Sequence, residues 1–303
     1  MKKLFIICIA FTFWMCAKNA PYTPPTTQRT LDDISFGLVG AFEVVTWNLE
    51  NYPKLFNTTV GNVQRAMVAI SADVYALQEI VSNSYFNQLV DEMNSADSIN
   101  LWAGYRANDA PYDQNLAFIY KPNDVAINDI YEIYQNDWYA FPRSPLVVDL
   151  TWNDSRILVI NNHLKASGGS ANEDRRRDAS EKLQEYIDIH FAGDNVVVVG
   201  DWNDEIQEPQ TTNVFWNFID DTDHYKFTDM DIAQDPTRQS WSYPAWPSHL
   251  DHILITVALY DEFSLTASQI KTIRVDDYMD GGYSEYNNTT SDHRPVGIRL
   301  KFE

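Results

Sequence analysis

The stretch Val196-Val197-Val198-Val199-Gly200-Asp201-Trp202-Asn203-Asp204 decides how the chain folds. Four consecutive valines offer no face to water and are far too few to cross a bilayer, so they read as a short strand buried on both sides. Such a strand needs a layer of structure above it and another below. Gly200 ends it, and two carboxylates and an amide follow at once. Upstream, Glu173 to His190 has helical spacing, with Ala179, Leu183, Tyr186 and Ile187 on one face. Asn172 or Ser170 is the expected cap, Glu173 and Asp174 suit the positive end, and Ala192-Gly193-Asp194 breaks the helix before the valines.

The same punctuation recurs along the chain. Short β-rich runs bounded by turn residues cover Phe42 to Trp47, Val74 to Leu77, Leu116 to Tyr120, Leu146 to Trp152, Ile157 to Asn161, Ile253 to Val257 and Val296 to Phe302. Val60 to Ile70 is a second helix. Many strands and few helices in one continuous unit predict an α/β sandwich, two sheets face to face with helices outside.

Composition bounds the rest. The 303 residues are 45% hydrophobic and 14% aromatic, which is ample for a large core and excludes disorder. The formal charge of −21 argues against a protein that holds nucleic acid tightly by neutralising many phosphates. It does not exclude an enzyme that recruits a cation. The run Leu4 to Ala17 follows Lys2 and Lys3 and is 14 residues long, short for a membrane span but suited to an export signal. Both cysteines, Cys8 and Cys16, lie in it, so no thiol remains for a disulfide, a zinc site or a nucleophile in the folded domain. Cys16 resembles the lipidated cysteine of bacterial lipoproteins, although Phe13, Trp14 and Met15 match the small-residue pattern poorly; lipidation, plain cleavage and an uncleaved anchor all stand. The expected organisation is a signal over 1–16, a Pro/Thr-rich tether over 17–40 and one domain over 41–303. The expected location is outside the cytoplasmic membrane: periplasmic, on the cell surface or extracellular.

The polar residues of interest sit at strand ends. Asn48 and Glu50 follow the first run, Gln78 and Glu79 the second, Asn162 and His163 the run ending at Asn161, and Asp201 and Asn203 the valines. Asp251 with His252, and Asp292 with His293, precede the last two runs. A rigid scaffold places such side chains without loop entropy. Carboxylates, amides and imidazoles without cysteine favour Mg²⁺, Mn²⁺ or Ca²⁺ over zinc.

Six strings carry a resemblance: Thr46-Trp47-Asn48-Leu49-Glu50, Leu77-Gln78-Glu79, Asn162-His163-Leu164, Gly200-Asp201-Trp202-Asn203-Asp204, Leu250-Asp251-His252-Ile253 and Ser291-Asp292-His293-Arg294-Pro295. In this order, over Thr46 to Pro295, the chain resembles the endonuclease/exonuclease/phosphatase superfamily, which includes deoxyribonuclease I. The resemblance implies a four-layer sandwich of two mixed sheets flanked by helices. It implies Glu79 as principal metal ligand, with Asn48 close by and Asp292 contributing. His293 would be the general base or its electrostatic equivalent, held by Asp251. Asp201 and Asn203 would position the attacking water and a phosphate oxygen, and His163 would donate to the phosphate or the leaving oxygen. Arg143, in Phe141-Pro142-Arg143-Ser144-Pro145, resembles a phosphate-facing arginine. Where relatives pair the second histidine with a glutamate, this chain has Gln114.

Blander readings apply elsewhere. Glu50 is expected in solvent, Asp204 in a turn, His252 in packing, and His190 and His224 in no site. Arg175-Arg176-Arg177 reads as a solvated face answering Glu173, Asp174 and Asp178. Trp241, Tyr243, Trp246 and Pro247 form an aromatic loop that either stacks on a ring, touches lipid or covers the core. The expectation is a monomeric, Mg²⁺-dependent endonuclease that holds nucleic acid transiently. A phospholipid or small phosphoester is the alternative substrate, Cys16 an alternative membrane attachment, and a silent binding module the alternative class.

Overall fold

The computed structural model describes residues 29–303; the run read as an export signal, Cys8, Cys16 and the first half of the stretch read as a tether lie outside them. The described strands are β1 (Ala41–Tyr52), β2 (Val74–Ile80), β3 (Ala103–Arg106), β4 (Asn115–Tyr120), β5 (Val125–Glu132), β6 (Leu146–Trp152), β7 (Ser155–His163), β8 (Asn195–Asp201), β9 (Tyr225–Phe227), β10 (Asp251–Thr256), β11 (Gln269–Thr272) and β12 (Val296–Lys301). They form two six-stranded sheets, ordered β11-β12-β1-β2-β4-β3 and β5-β6-β7-β8-β10-β9. Three long helices, α1 (Phe56–Ile70), α2 (Asn83–Ala96) and α3 (Ser170–His190), cover the outer faces, with short helices in the connections.

Strand periodicity builds the layers. In β1, Phe42 and Val44 point between the sheets, while Val45, Trp47 and Leu49 point outward into the cluster that α1 and α2 cover. In β8, Val197 and Val199 face the inter-sheet core and Val196 and Val198 pack with Ala179, Leu183 and Ile187 of α3. The four valines are thus buried on both faces, each worth about 1.5–3 kcal/mol relative to exposure. Among the described residues no helix is long and apolar enough to cross a membrane.

Three expectations change. Leu31, Ile34 and Phe36 are buried and join the α1 cluster, so the stretch read as tether to Gly40 already contributes core side chains. Helix α3 starts at Ser170 behind Gly169 and has no side-chain cap. Arg175–Arg177 do not answer the acids of their own helix. Arg176 is buried against Asp204, Arg175 donates to the carbonyls of Trp138 and Tyr139, and Arg177 donates to that of Asn213.

Register brings the polar strand ends together. Each sheet has one parallel pair at its centre, β1 with β2 and β7 with β8, so those four strands finish near one another. Asn48 pairs with Gln78, His163 with Asp201, and Asp201 with Asp251 across the antiparallel β8–β10 ladder. Gly200 makes the β7–β8 approach feasible: its φ is +146°, and a Cβ there would lie 1.9 Å from Asn162 O. Beneath the strand ends buried amides tie one sheet to the other. Gln78 Nε2 donates to Asn161 Oδ1 at 2.7 Å, and Asn161 Nδ2 donates to the carbonyls of Leu77 and Ala117.

Candidate active site

A cleft of about 530 Å³ opens at this end of the sandwich, and Asn48, Glu79, His163, Asp201, Asn203, Asp292 and His293 all line it. Asp201, at the end of β8, is central. Its Oδ2 accepts from Asn48 Nδ2 at 2.9 Å, across the gap between the sheets, and lies 3.5 Å from His163 Nε2 and 3.9 Å from His293 Nε2. Burial raises its pKa to about 7, with the His293 charge pulling the other way. A carboxyl group poised there is suited to take a proton near neutrality.

His293 precedes β12 and is held from behind. Its Nδ1 bonds Asp251 Oδ2 at 2.7 Å, its amide donates to Ser291 Oγ at 3.0 Å, and its carbonyl accepts from Trp47 Nε1 and Tyr286 Oη. Burial disfavours the imidazolium, but Asp251 and Asp201 outweigh it and raise the pKa to about 10. His163 differs. Burial first, then the charges of Arg143 and His293, holds it well below the usual histidine range, so it is neutral; its Nδ1 has no partner among the described residues. One site therefore holds a charged and a neutral imidazole on either side of one carboxylate.

Asn203 follows in a left-handed conformation (φ 57°), its amide donating to Asp201 Oδ1 at 3.0 Å and its Nδ2 to Leu164 O at 3.2 Å. Glu79 is also left-handed (φ 59°); its two oxygens take Asn48 Nδ2 at 3.4 Å and the Asn51 amide at 2.9 Å. With Glu50 (φ 43°), Asn51 (φ 54°) and Ser167 (φ 80°), five non-glycine residues lining this cleft lie in this sparsely populated region, the kind of local strain found at functional sites.

Other placements differ from expectation. Asn48 uses its amide group on Asp201 and Glu79 and its oxygen on the Glu50 amide, so it orients the carboxylates around it. Glu50 is not a solvated residue: it lines the cleft, accepts the Asp292 amide at 2.9 Å, pairs with Lys54, and has its pKa raised by burial. Its signal in the sequence was its place two residues after Asn48, although left-handed Glu50 (φ 43°) and Asn51 (φ 54°) break the strict alternation of the strand there. Arg143 does not line the cleft. It donates to Gln114 Oε1, and Gln114 Nε2 donates to Asn51 Oδ1 at 2.9 Å, so Gln114 links Arg143 to the Asn51–Glu79 segment and makes no bond to His163. Tyr243 and Trp246 form one wall of the cleft; the Tyr243 and His293 ring centroids are 4.8 Å apart, and Trp246 is 79% exposed. Asp204, paired with Arg176, and His252, bonded to the Asp204 carbonyl, do not line the cleft, and neither do His190 and His224.

No family model matches the chain, and no curated protein matches it in sequence. Solved structures do. The human Nocturnin catalytic domain with bound sulfate anion superposes with a TM-score of 0.62 at 16% identity, over 88% of this chain and 96% of that one. D. rerio TDP2 complexed with a single-strand DNA product gives 0.62 at 12% identity, over 86% and 99%. An endonuclease/exonuclease/phosphatase family protein from Bacteroides thetaiotaomicron gives 0.58 at 12% identity, over 87% and 98%. The fold is therefore the one these proteins share: two six-stranded mixed sheets flanked by helices.

Proposed function

We propose that the chain is an exported, metal-dependent phosphodiester hydrolase of the endonuclease/exonuclease/phosphatase superfamily, and that its substrate is nucleic acid cut internally. The observation that carries this reading is the convergence on Asp201 of two buried imidazoles, His163 Nε2 at 3.5 Å and His293 Nε2 at 3.9 Å, at the ends of strands from both sheets. The fold shared with the proteins above supports it.

The residues present fit a hard divalent cation. Glu79, Glu50 and Asp292 bring carboxylate oxygens to one cleft, with Asn48 orienting the Glu79 carboxylate, and among the described residues no sulfur lines it. All-oxygen donors suit Mg²⁺, with Mn²⁺ or Ca²⁺ as substitutes. When bound, such a cation stabilises negative charge on the phosphate. The chain's own groups supply the rest. Asp201, with Asn203 fixing its loop, aligns the attacking water and accepts its proton. His293, kept cationic by Asp251, offers Nε2–H to a non-bridging phosphate oxygen and stabilises the charge that builds there. His163, neutral and buried, donates to the phosphate or the departing oxygen. Arg143 acts at one remove, holding Gln114 and through it the Glu79 segment.

Nucleic acid is favoured by the aromatic wall. Tyr243 and the exposed Trp246 give a flanking base a stacking surface beside the reacting phosphate, and stacking does not depend on a basic protein. The same tryptophan supports a second reading, a phospholipid headgroup approached from the membrane surface through an anchor at Cys16. In either case contact is transient and the protein acts as a monomer. The test is one panel, with and without chelator: supercoiled plasmid, single-stranded DNA, RNA, sphingomyelin, an inositol polyphosphate and an aryl phosphodiester. The reading requires Mg²⁺-dependent cleavage of a nucleic acid in excess of the others; preferential cleavage of sphingomyelin would replace it with the second.

A further inference from the structure

A buried polar path runs behind the cleft, hydrogen-bonded at each step but one. Beside His293, the Arg294 amide donates to Ser242 O at 2.7 Å. The Ser242 amide donates to His249 Nδ1 at 3.2 Å, and His249 Nε2 faces Asp229 Oδ2 at 3.0 Å, off the line of a good hydrogen bond. The same oxygen takes His252 Nδ1 at 2.6 Å, and His252 Nε2 donates to Asp204 O at 3.0 Å, in the loop that carries Asp201 and Asn203. Two branches reach the β10 backbone: Ser242 Oγ accepts the Leu250 and Asp251 amides, both at 3.1 Å, and Asp229 Oδ1 accepts the Ile253 amide at 3.1 Å. Ser242, Asp229, His249 and His252 are all fully buried.

Two histidines and an aspartate this close are also a candidate metal site. The hydrogen-bond partners assign the protons against it. His249 Nδ1 accepts an N–H, so its own proton is on Nε2; both nitrogens of His252 face acceptors, so both carry protons. Neither imidazole has a lone pair left to turn toward a cation. The charges agree: burial alone would lower the His252 pKa, yet the Asp229 carboxylate outweighs it and raises it, while burial holds His249 low. The cluster is a charged pair, Asp229 and His252, with a neutral His249 leaning on the same oxygen.

Its connections give it a task. Ser242 and His249 flank the hairpin that runs from Tyr243 to Ser248, whose ends are bridged backbone to backbone. The cluster therefore anchors the aromatic wall, the amide of Asp251, the backbone next to His293 and the loop after Asp201. We propose that the Ser242–His249–Asp229–His252 path is the mount that fixes the Asp201 loop relative to the His293 side of the cleft, with His252 and Asp229 as positioning residues. Only its kinetic consequence rests on the phosphodiesterase reading; the mechanical claim does not.

The experiment compares His252→Phe, which keeps bulk and loses both donors, with His252→Gln, whose amide nitrogen can follow Nε2 to the Asp204 carbonyl. Met93→Ala in α2, remote from the cleft, controls for lost stability. Amide hydrogen exchange, read at a temperature where all are folded, should accelerate at both Asn203 and Arg294 by about tenfold or more in His252→Phe, less in His252→Gln, and at neither in Met93→Ala. With Mg²⁺ and the best phosphodiester of the panel, His252→Phe should lose about 10–100-fold in kcat with KM within about threefold, and His252→Gln should recover most of the loss. Should His252→Phe not fold, Asp229→Asn carries both measurements. Unchanged exchange at Asn203 and Arg294 overturns the mount, with or without any activity; changed exchange with unchanged kcat overturns the positioning role. A wild type that cleaves nothing in the panel removes the proposed function and leaves the exchange result to decide the mount. Zinc bound by the wild type and lost in His249→Gln overturns the proton assignment.

Discussion

His293 Nδ1 and Asp251 Oδ2 are 2.7 Å apart, and the carboxylate that holds the imidazole is fully buried, with its second oxygen unpartnered among the described residues. A carboxylate committed to one partner does two things at once: it fixes which nitrogen faces the cleft, and it keeps the ring cationic. Asp251→Asn preserves size and removes the charge. The expected result is a loss of roughly 10²–10⁴-fold in kcat with KM little changed and the melting temperature largely kept. Steady-state kinetics on a phosphodiester checks it; a loss confined to KM would assign Asp251 to binding instead.

His163, buried, neutral and 3.5 Å from Asp201, is assigned to the leaving side as a hydrogen-bond donor that stabilises charge on the departing oxygen without giving up its proton. His163→Ala should slow an unactivated diester far more than an aryl ester whose leaving group departs without a proton. Equal losses on both substrates would argue against that role.

The cation set is testable without any structure of the bound form. Glu79→Gln keeps the hydrogen bond to the Asn51 amide and removes the charge. The Mg²⁺ concentration giving half-maximal rate should rise by at least about tenfold, with partial recovery at high Mg²⁺. An unchanged Mg²⁺ requirement would place the cation elsewhere.

The opposite end of β1 gives a prediction about stability alone. Glu43 is buried, and burial together with the Asp73 charge raises its pKa from 4.5 to about 8. The folded state thus holds a proton that the unfolded chain has released, so this group favours folding at acid pH and its contribution is lost as pH rises from about 4.5 through about 8. Glu43→Gln cannot deprotonate. Its melting temperature should match the wild type near pH 5 and exceed it by roughly 2–6 °C near pH 8.5, with activity unchanged. Thermal denaturation at the two pH values decides; a constant difference would mean that Glu43 is not the titrating group.

What the sequence revealed follows burial. The eight strands read from apolar runs are β1, β2, β4, β6, β7, β8, β10 and β12, and all lie inside the two sheets. The four that went unread, β3, β5, β9 and β11, are the four sheet edges. An edge strand has one neighbour and is half in water, so its side chains need not be apolar; β5 (VAINDIYE) is largely exposed or half-exposed and has no continuous apolar run. Helix α2 was legible in principle, since Phe86, Leu89 and Met93 have helical spacing, but Asn and Ser at both ends obscured its extent. At the site, residues at the ends of inner strands could be read because the strands could. Glu50 was misread because exposure was assumed for a charge past a strand end, whereas β1 runs on to Tyr52. Asp229 gave no sign, since nothing local shows that a loop aspartate will meet two histidines about twenty residues later.

Asp201 chemistry is tested most directly by the rate of Mg²⁺-dependent cleavage of a single-stranded oligonucleotide by wild type and Asp201→Asn, each with and without excess chelator. The site described here requires wild-type cleavage that disappears with chelator and returns with Mg²⁺, and a loss of about 10³-fold or more in a folded Asp201→Asn. Cleavage that persists in excess chelator, or an Asp201→Asn within tenfold of wild type, would contradict it.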